Sequence, residues 1–239
     1  MTTAALWRVA TVVAARRAGS HGRTLQLRVD DWPGNVAGQH IDVRLTAEDG
    51  YQAVRSYSLA SSGADTTLEL AVDEIPDGEV SPYLVEDVIP GDQVEVRGPI
   101  GGYFVWTPDR PEPVQLIAGG SGIVPMIAIA RAHAGGSAPM RLLYSVRTAD
   151  DAFYADELRA LENDAFGIDW AYTRSAPPGS ARPAGRVDAA TVAASTLPPA
   201  QHPTVYVCGP TGFVEVVADL LVAAGHPPDR IRTERFGGA

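Results

Sequence analysis

The sequence contains no lysine; all nineteen of its basic residues are arginine. Every cationic contact must therefore come from a guanidinium, a planar fork that grips phosphate or carboxylate through two hydrogen bonds at once. Cysteine is nearly absent as well. The single thiol, Cys208, excludes an intrachain disulfide framework, and by itself it cannot hold an iron-sulfur cluster or a structural zinc. The five histidines are scattered without metal-ligand spacing, so no metal site is expected, and His40, inside a strand-like segment, reads as structural. No apolar run approaches the ~20 residues of a membrane span, and Arg8 interrupts the best candidate near the N-terminus. The Arg16-Arg17 pair is not followed by the apolar stretch of an export signal. A cytoplasmic setting without membrane insertion is the expectation. With a formal charge of -10, the chain lacks the basic surface that nucleic-acid phosphates require.

What is present is a globular composition, 45% hydrophobic and 20% charged, in 239 residues, which is long enough for two cores. Up to about Trp106 the pattern is one of short strands with turn signals between them: 7–15, 24–29, 40–45, 55–60, 67–72 and 93–97. That spacing predicts a small antiparallel barrel. One helix is expected to interrupt it, with Ser81 as N-cap, Pro82 in the first turn and a stop at Pro90-Gly91. The segment 107–113, with Pro108, Pro111 and Pro113, reads as a linker. Beyond it strands (114–118, 141–146, 168–173, 204–208, 231–234) alternate with helices (125–132, 154–162, 188–194, 211–224), the pattern of a parallel α/β sheet. The domains expected are 1–108, an antiparallel β-barrel, and 113–239, a Rossmann-like α/β unit.

Three groups in this frame carry chemistry. Arg55-Ser56-Tyr57-Ser58 sets a fixed cation and a flat ring on one face of an extended segment and hydroxyls on the other. That suits a ligand with a phosphate and an aromatic system. Val114–Ala118 runs into Gly119-Gly120-Ser121-Gly122-Ile123-Val124-Pro125, a buried strand followed by a glycine turn and a helix start, which offers free N–H groups to a pyrophosphate. Pro125 stands where the usual Gly-x-Gly-x-x-Gly fingerprint has its third glycine, so the ordinary dehydrogenase pattern does not fit. Gly78-Glu79-Val80-Ser81, at the predicted barrel helix, can cradle a second phosphate, with Arg55 as counter-charge.

Together with Gly98-Pro99-Ile100-Gly101, Cys208-Gly209-Pro210 and Glu234-Arg235-Phe236, these motifs fall in one order along nearly the whole chain. In that order the sequence resembles the ferredoxin-NADP reductase superfamily. The resemblance implies a flavin-binding barrel followed by a pyridine-nucleotide domain, without an iron-sulfur domain. It implies that Arg55 pairs with the flavin pyrophosphate, Tyr57 packs against the isoalloxazine and Ser58 hydrogen-bonds its N5 edge, with Ser56 in the same run. Leu59 and Ala71-Val72-Asp73 would line the flavin, and Gly78, Glu79, Val80 and Ser81 would hold phosphate, favouring FAD over FMN. Gly120, Ser121, Gly122 and Pro125 would receive the nicotinamide nucleotide's pyrophosphate, and Cys208-Gly209-Pro210 would lie beside nicotinamide C4. Cys208 reads as a packing and orienting residue rather than a nucleophile, because no histidine is near it in sequence. Glu234 would contact nicotinamide or relay a proton. Phe236 would cover the flavin face; the family's plastid type ends on a tyrosine, whereas here Gly237-Gly238-Ala239 follow. Arg147 and Thr173-Arg174 sit at strand ends where such sheets bind ligands, and a hydroxyl followed by arginine at that place implies NADPH, with NADH possible.

The function implied is hydride transfer from NADPH to FAD, then electron transfer to a separate acceptor, a ferredoxin first. Arg8, Arg16, Arg17, Arg23 and Arg28 could form a basic docking face for it. A flavin or ferric reductase with no protein partner, and a flavin-binding relay subunit of a larger complex, stay open.

Overall fold

The computed structural model describes residues 6–237. The chain divides between Trp106 and Thr107 into two compact units. In the first, six strands, β1 (Trp7–Ala18), β2 (Gly22–Arg28), β3 (His40–Thr46), β4 (Gln52–Ser58), β5 (Thr67–Asp73) and β6 (Gln93–Ile100), form one antiparallel sheet in the order β4-β3-β6-β1-β2-β5. In five of these strands alternate residues are apolar and turn inward: Ala10 and Val12, Leu25 and Leu27, Ile41 and Val43, Leu68 and Leu70, Val94 and Val96 are all buried. Burying each such valine or leucine contributes about 1.5–3 kcal/mol. The sheet curls until its edges β4 and β5 meet. They join just past β4, through the bridge Leu59–Leu70, the bond from the Ala60 N–H to the Glu69 carbonyl (2.8 Å) and that from the Glu69 N–H to the Ser61 hydroxyl (3.0 Å), leaving a seam along β4 itself.

The expected barrel helix is shorter than its sequence suggested. A single wide turn, Tyr83–Asp87, follows Pro82, with Leu84 and Val85 buried in the barrel. Ser81 does not cap it, because its Oγ instead accepts the Ile75 N–H at 3.1 Å and closes the loop 75–81. Gly78 is required there, since a Cβ would lie 2.9 Å from the Ile75 carbonyl oxygen.

The second unit is a parallel sheet of five strands, β7 (Val114–Gly119), β8 (Met140–Val146), β9 (Phe166–Tyr172), β10 (Thr204–Pro210) and β11 (Ile231–Phe236), in the order β11-β10-β7-β8-β9. Helices α1 (Ile123–His133), α2 (Ala155–Leu161), α3 (Ala189–Ser195) and α4 (Thr211–Ala223) connect them. All six residues of the central β7 are buried, as a strand covered on both faces must be. From β7 the chain builds outward through β8 and β9, then returns to β10 on the other side of β7. The carboxyl ends of β7 and β10 therefore flank the topological switch point, where open α/β sheets take ligands.

Candidate functional site

In the barrel unit, Arg55 and Tyr57 lie opposite Val43 and Ile41, both fully buried, so their side chains share the inward face at the seam. Tyr57 is partly buried against the core, and that burial pushes its phenol up to about 12, so it is neutral at any ordinary pH. The Arg55 guanidinium is ion-paired with Glu79 in the loop 75–81 and also donates to the Val54 carbonyl (2.8 Å). Glu79 accepts a second bond, from the Tyr51 hydroxyl at 2.6 Å. Those two donors, Tyr51 first, hold the Glu79 carboxyl below its ordinary value, while the same contact raises the Tyr51 phenol.

Ser56 points to the other face of β4, where its hydroxyl donates to Asp42 at 2.6 Å, leaving its backbone for any ligand. Arg97 donates to the same carboxylate at 2.6 Å. Burial alone would raise Asp42, but Ser56 and Arg97 outweigh it and hold the carboxyl below its ordinary value. Ser58, the last residue of β4, has no hydrogen-bond partner for its hydroxyl among the described residues. Leu59, Ala71 and Val72 are buried, and Asp73 is exposed. The seam thus gathers an open strand edge, a neutral phenol, a guanidinium and the glycine loop Gly78–Ser81. These groups fit a flavin that carries phosphate.

Local contacts engage four of the five arginines expected to form a basic docking face, two of them with carboxylates and two with neutral carbonyls. Arg17 is ion-paired with Glu86 and Arg28 with Asp30 (3.6 Å); Arg23 donates to the Val85 and Val88 carbonyls, and Arg8 to that of Gly98. Of the five, Arg16 alone is without such a partner among the described residues.

In the α/β unit, the switch point brings the two predicted turns into contact. Gly120 takes φ +55°, and a Cβ on Gly122 would lie 2.2 Å from the Cys208 carbonyl oxygen, so only glycine allows this approach. Gly119 and Gly209 leave room for the ring of Phe213, which a Cβ at either would meet at 2.6 and 2.7 Å. Ser121 is half-buried at this turn, and α1 starts at once, with Pro125 in its first turn and its N-terminal N–H groups at the switch point. Glu234 pairs in register with Cys208, and Phe236, 37% exposed, with Pro210. Burial, and then the Glu234 charge, raise the Cys208 thiol well above its ordinary value, so it is no nucleophile at neutral pH. Gly238 and Ala239, the end of the predicted tail, lie outside the described residues.

The ends of β8 and β9 are tied together: the Thr173 N–H donates to the Val146 carbonyl (2.8 Å) and the Arg174 N–H to that of Arg147 (2.9 Å). Arg147 and Arg174 are exposed. Beside them lies a cavity of about 380 Å³, lined by Ser145, Thr173, Arg186 and Phe213 among others. Sequence reasoning missed Ser145, Arg186, Phe213 and Tyr51. Phe213 stood one turn beyond a Gly-Pro and Arg186 beside Val187 after a loop rich in alanine, proline and glycine, but neither position states what it will touch.

Comparison with known proteins defines the class. Residues 11–105 match the oxidoreductase FAD-binding domain and residues 116–219 the oxidoreductase NAD-binding domain. The chain is 32% identical over 215 residues to NADH-cytochrome b5 reductase 1 of Aspergillus terreus, covering 85% of this chain and 72% of that one. It is 27% identical over 206 residues to the reductase component of propane 2-monooxygenase from Rhodococcus jostii, covering 83% of this chain. The chain spans 55% of the Rhodococcus protein's length. The flavohem-like FAD/NAD-binding domain of nitric oxide dioxygenase from Vibrio cholerae superposes with a TM-score of 0.85 at 28% identity, over 97% of this chain and 99% of that one. The protein is an FAD- and NAD-binding oxidoreductase. It belongs to the ferredoxin-NADP reductase-like family.

Proposed function

We propose that this chain takes hydride from NADPH onto FAD and passes the electrons to a separate redox protein, a ferredoxin of an oxygenase system first. The observation that carries the reading is the contact of Gly122 with Cys208 at the switch point, which leaves a backbone-lined floor between two turns where a nicotinamide dinucleotide can lie.

Bound flavin supplies the chemistry that joins a two-electron donor to one-electron acceptors. This chain's residues supply position and charge. Arg55, with the N–H groups of Glu79–Ser81, binds the flavin phosphates, while the Gly78 N–H closes its own loop on the Ile75 carbonyl (2.8 Å); Tyr57 gives the ring system a flat apolar wall, and Ser58 offers a hydroxyl at its edge. Leu59 and Ala71–Asp73 border it. Gly120–Gly122, Ser121 and the α1 terminus receive the nicotinamide nucleotide's pyrophosphate, while Cys208 and Gly209 fix the depth of the nicotinamide. Glu234 and Phe236, next to them in register, serve as a polar contact and an aromatic cover. Thr173, Arg174 and Arg147 stand for the 2′-phosphate.

For a separate protein acceptor, though not for a ferredoxin in particular, support comes from the relatives' names: one is the reductase component of a monooxygenase, the other an NADH-cytochrome b5 reductase. The 239 residues hold one cysteine, so a cluster-bearing acceptor must bring its own ligands. The test is an anaerobic titration with NADPH and then NADH, following the visible flavin spectrum. Bleaching by NADPH at lower concentration than NADH is expected. A yellow protein that neither nucleotide reduces would replace this reading with that of a relay subunit.

A further inference from the structure

The ladder between β10 and β11 ends at the pair Pro210–Phe236, and there the two chains part, Pro210 into α4 and Phe236 into Gly237. They are rejoined one residue further on. The hydroxyl of Thr211, the first residue of α4, donates to the Gly237 carbonyl at 3.1 Å. Gly237 takes φ +77°, a left-handed bend that a residue with a side chain enters only under strain. Phe236 therefore sits between two ties, the register pair that precedes it and the Thr211 bond that follows it.

Those ties matter because the ring itself is weakly held. Phe236 is 37% exposed, whereas Phe213, two residues past Thr211, is packed against Gly119 and Gly209. The Thr211 bond is also exposed, so water can take the place of either partner and the tie can open at modest cost. A tail held this way has two states, tied and released, and a ligand that needs the released one binds more weakly by the fraction of time the tail is tied.

We infer that Thr211 is a positioning residue for the nicotinamide: through Gly237 it holds Phe236 beside Pro210, in the place the nicotinamide ring must take, and its bond opens as the ring enters. This rests on the reading of Phe236 as an aromatic cover. The cost of opening falls on the nicotinamide half of the dinucleotide alone, since the adenosine half does not require the tail to move.

The experiment is calorimetric titration of the FAD-loaded protein with NADP+ and with 2′-phospho-ADP-ribose, which lacks only the nicotinamide; NAD+ and ADP-ribose replace them if the wild type binds that pair more tightly. Thr211→Val keeps the branched shape and removes the donor. It should tighten NADP+ binding about two- to tenfold, the worth of one hydrogen bond, and leave 2′-phospho-ADP-ribose binding unchanged. Thr211→Ser keeps the hydroxyl and should bind as the wild type does. Phe236→Ala should tighten NADP+ binding at least as much, and adding Thr211→Val to it should bring no further gain. Unchanged NADP+ affinity in Thr211→Val beside a gain in Phe236→Ala overturns the inference and leaves the cover reading standing. Weaker binding in Thr211→Val, or a gain that persists in the Phe236→Ala background, overturns it as well. No gain in Phe236→Ala overturns the cover reading and the inference with it.

Discussion

At Arg55 a flavin phosphate and the Glu79 carboxylate would compete for one guanidinium. The ion pair is half exposed on both sides, so it is weak enough for the flavin pyrophosphate, with one negative charge on each phosphoryl group, to displace. Two substitutions separate the partners. Arg55→Ala should weaken FAD binding by about tenfold or more, because the phosphate loses a charge-assisted contact. Glu79→Gln should tighten it by about two- to fivefold, because the competing charge is gone while the loop is kept. Fluorescence titration of the flavin-free protein reads both; equal affinity in all three proteins would remove Arg55 from the site. Cys208 gives the converse lesson. Its thiol is buried and its ionisation suppressed, so iodoacetamide at pH 8 should leave the folded protein unmodified and label it fully in denaturant.

Among the elements, β3, β4 and β6 are pinned on their outer face by Asp42, Ser56 and Arg97. Asp42→Asn should cost about 1–3 kcal/mol of stability at pH 7. The folded carboxyl ionises below its ordinary value, so its contribution is whole above pH ~4 and is lost as pH falls through the folded value. The gap between wild type and variant in urea unfolding should therefore shrink by pH 3. At the switch point, Gly122→Ala drives a methyl into the Cys208 carbonyl, a backbone atom that cannot swing aside. A stability loss of about 1–3 kcal/mol and a loss of nucleotide binding are expected, with FAD affinity retained. The strands were legible because a period of two in the barrel, and short apolar runs in the α/β unit, are local signals, and the glycine turn after Ala118 was legible for the same reason. The Ser81 cap was misread because the same hydroxyl serves a loop N–H six residues back as readily as a helix N–H ahead. The role of Tyr51 was not legible, because the local Asp49-Gly50 turn that places it says nothing of its partner Glu79, 28 residues further along the chain.

For the whole molecule, charge decides how an acceptor protein arrives. The chain carries a net charge of -10, so long-range steering of an acidic ferredoxin, the acceptor proposed above, is unfavourable, even though Arg8 and Arg23, bonded to neutral carbonyls, keep their local charge. Added salt screens that repulsion, and acceptor reduction measured in stopped flow should hold steady or quicken as ionic strength rises from about 0.01 to 0.15 M. A steep slowing would reveal a basic face elsewhere. Charge also decides how the protein meets alkali. Lysine ammonium groups discharge from pH ~10, and this chain has none. Its bridges, such as Arg44–Glu95 and Arg17–Glu86, use guanidinium groups held above even their ordinary value by those carboxylates, so they outlast any pH the backbone itself tolerates. Stability carried by neutral Tyr57 is whole below pH ~10 and is lost as pH climbs through about 12, and the Cys208 thiol behaves in the same sense. The alkaline ceiling of this protein is therefore set by the acids it has buried, while its salt bridges remain intact.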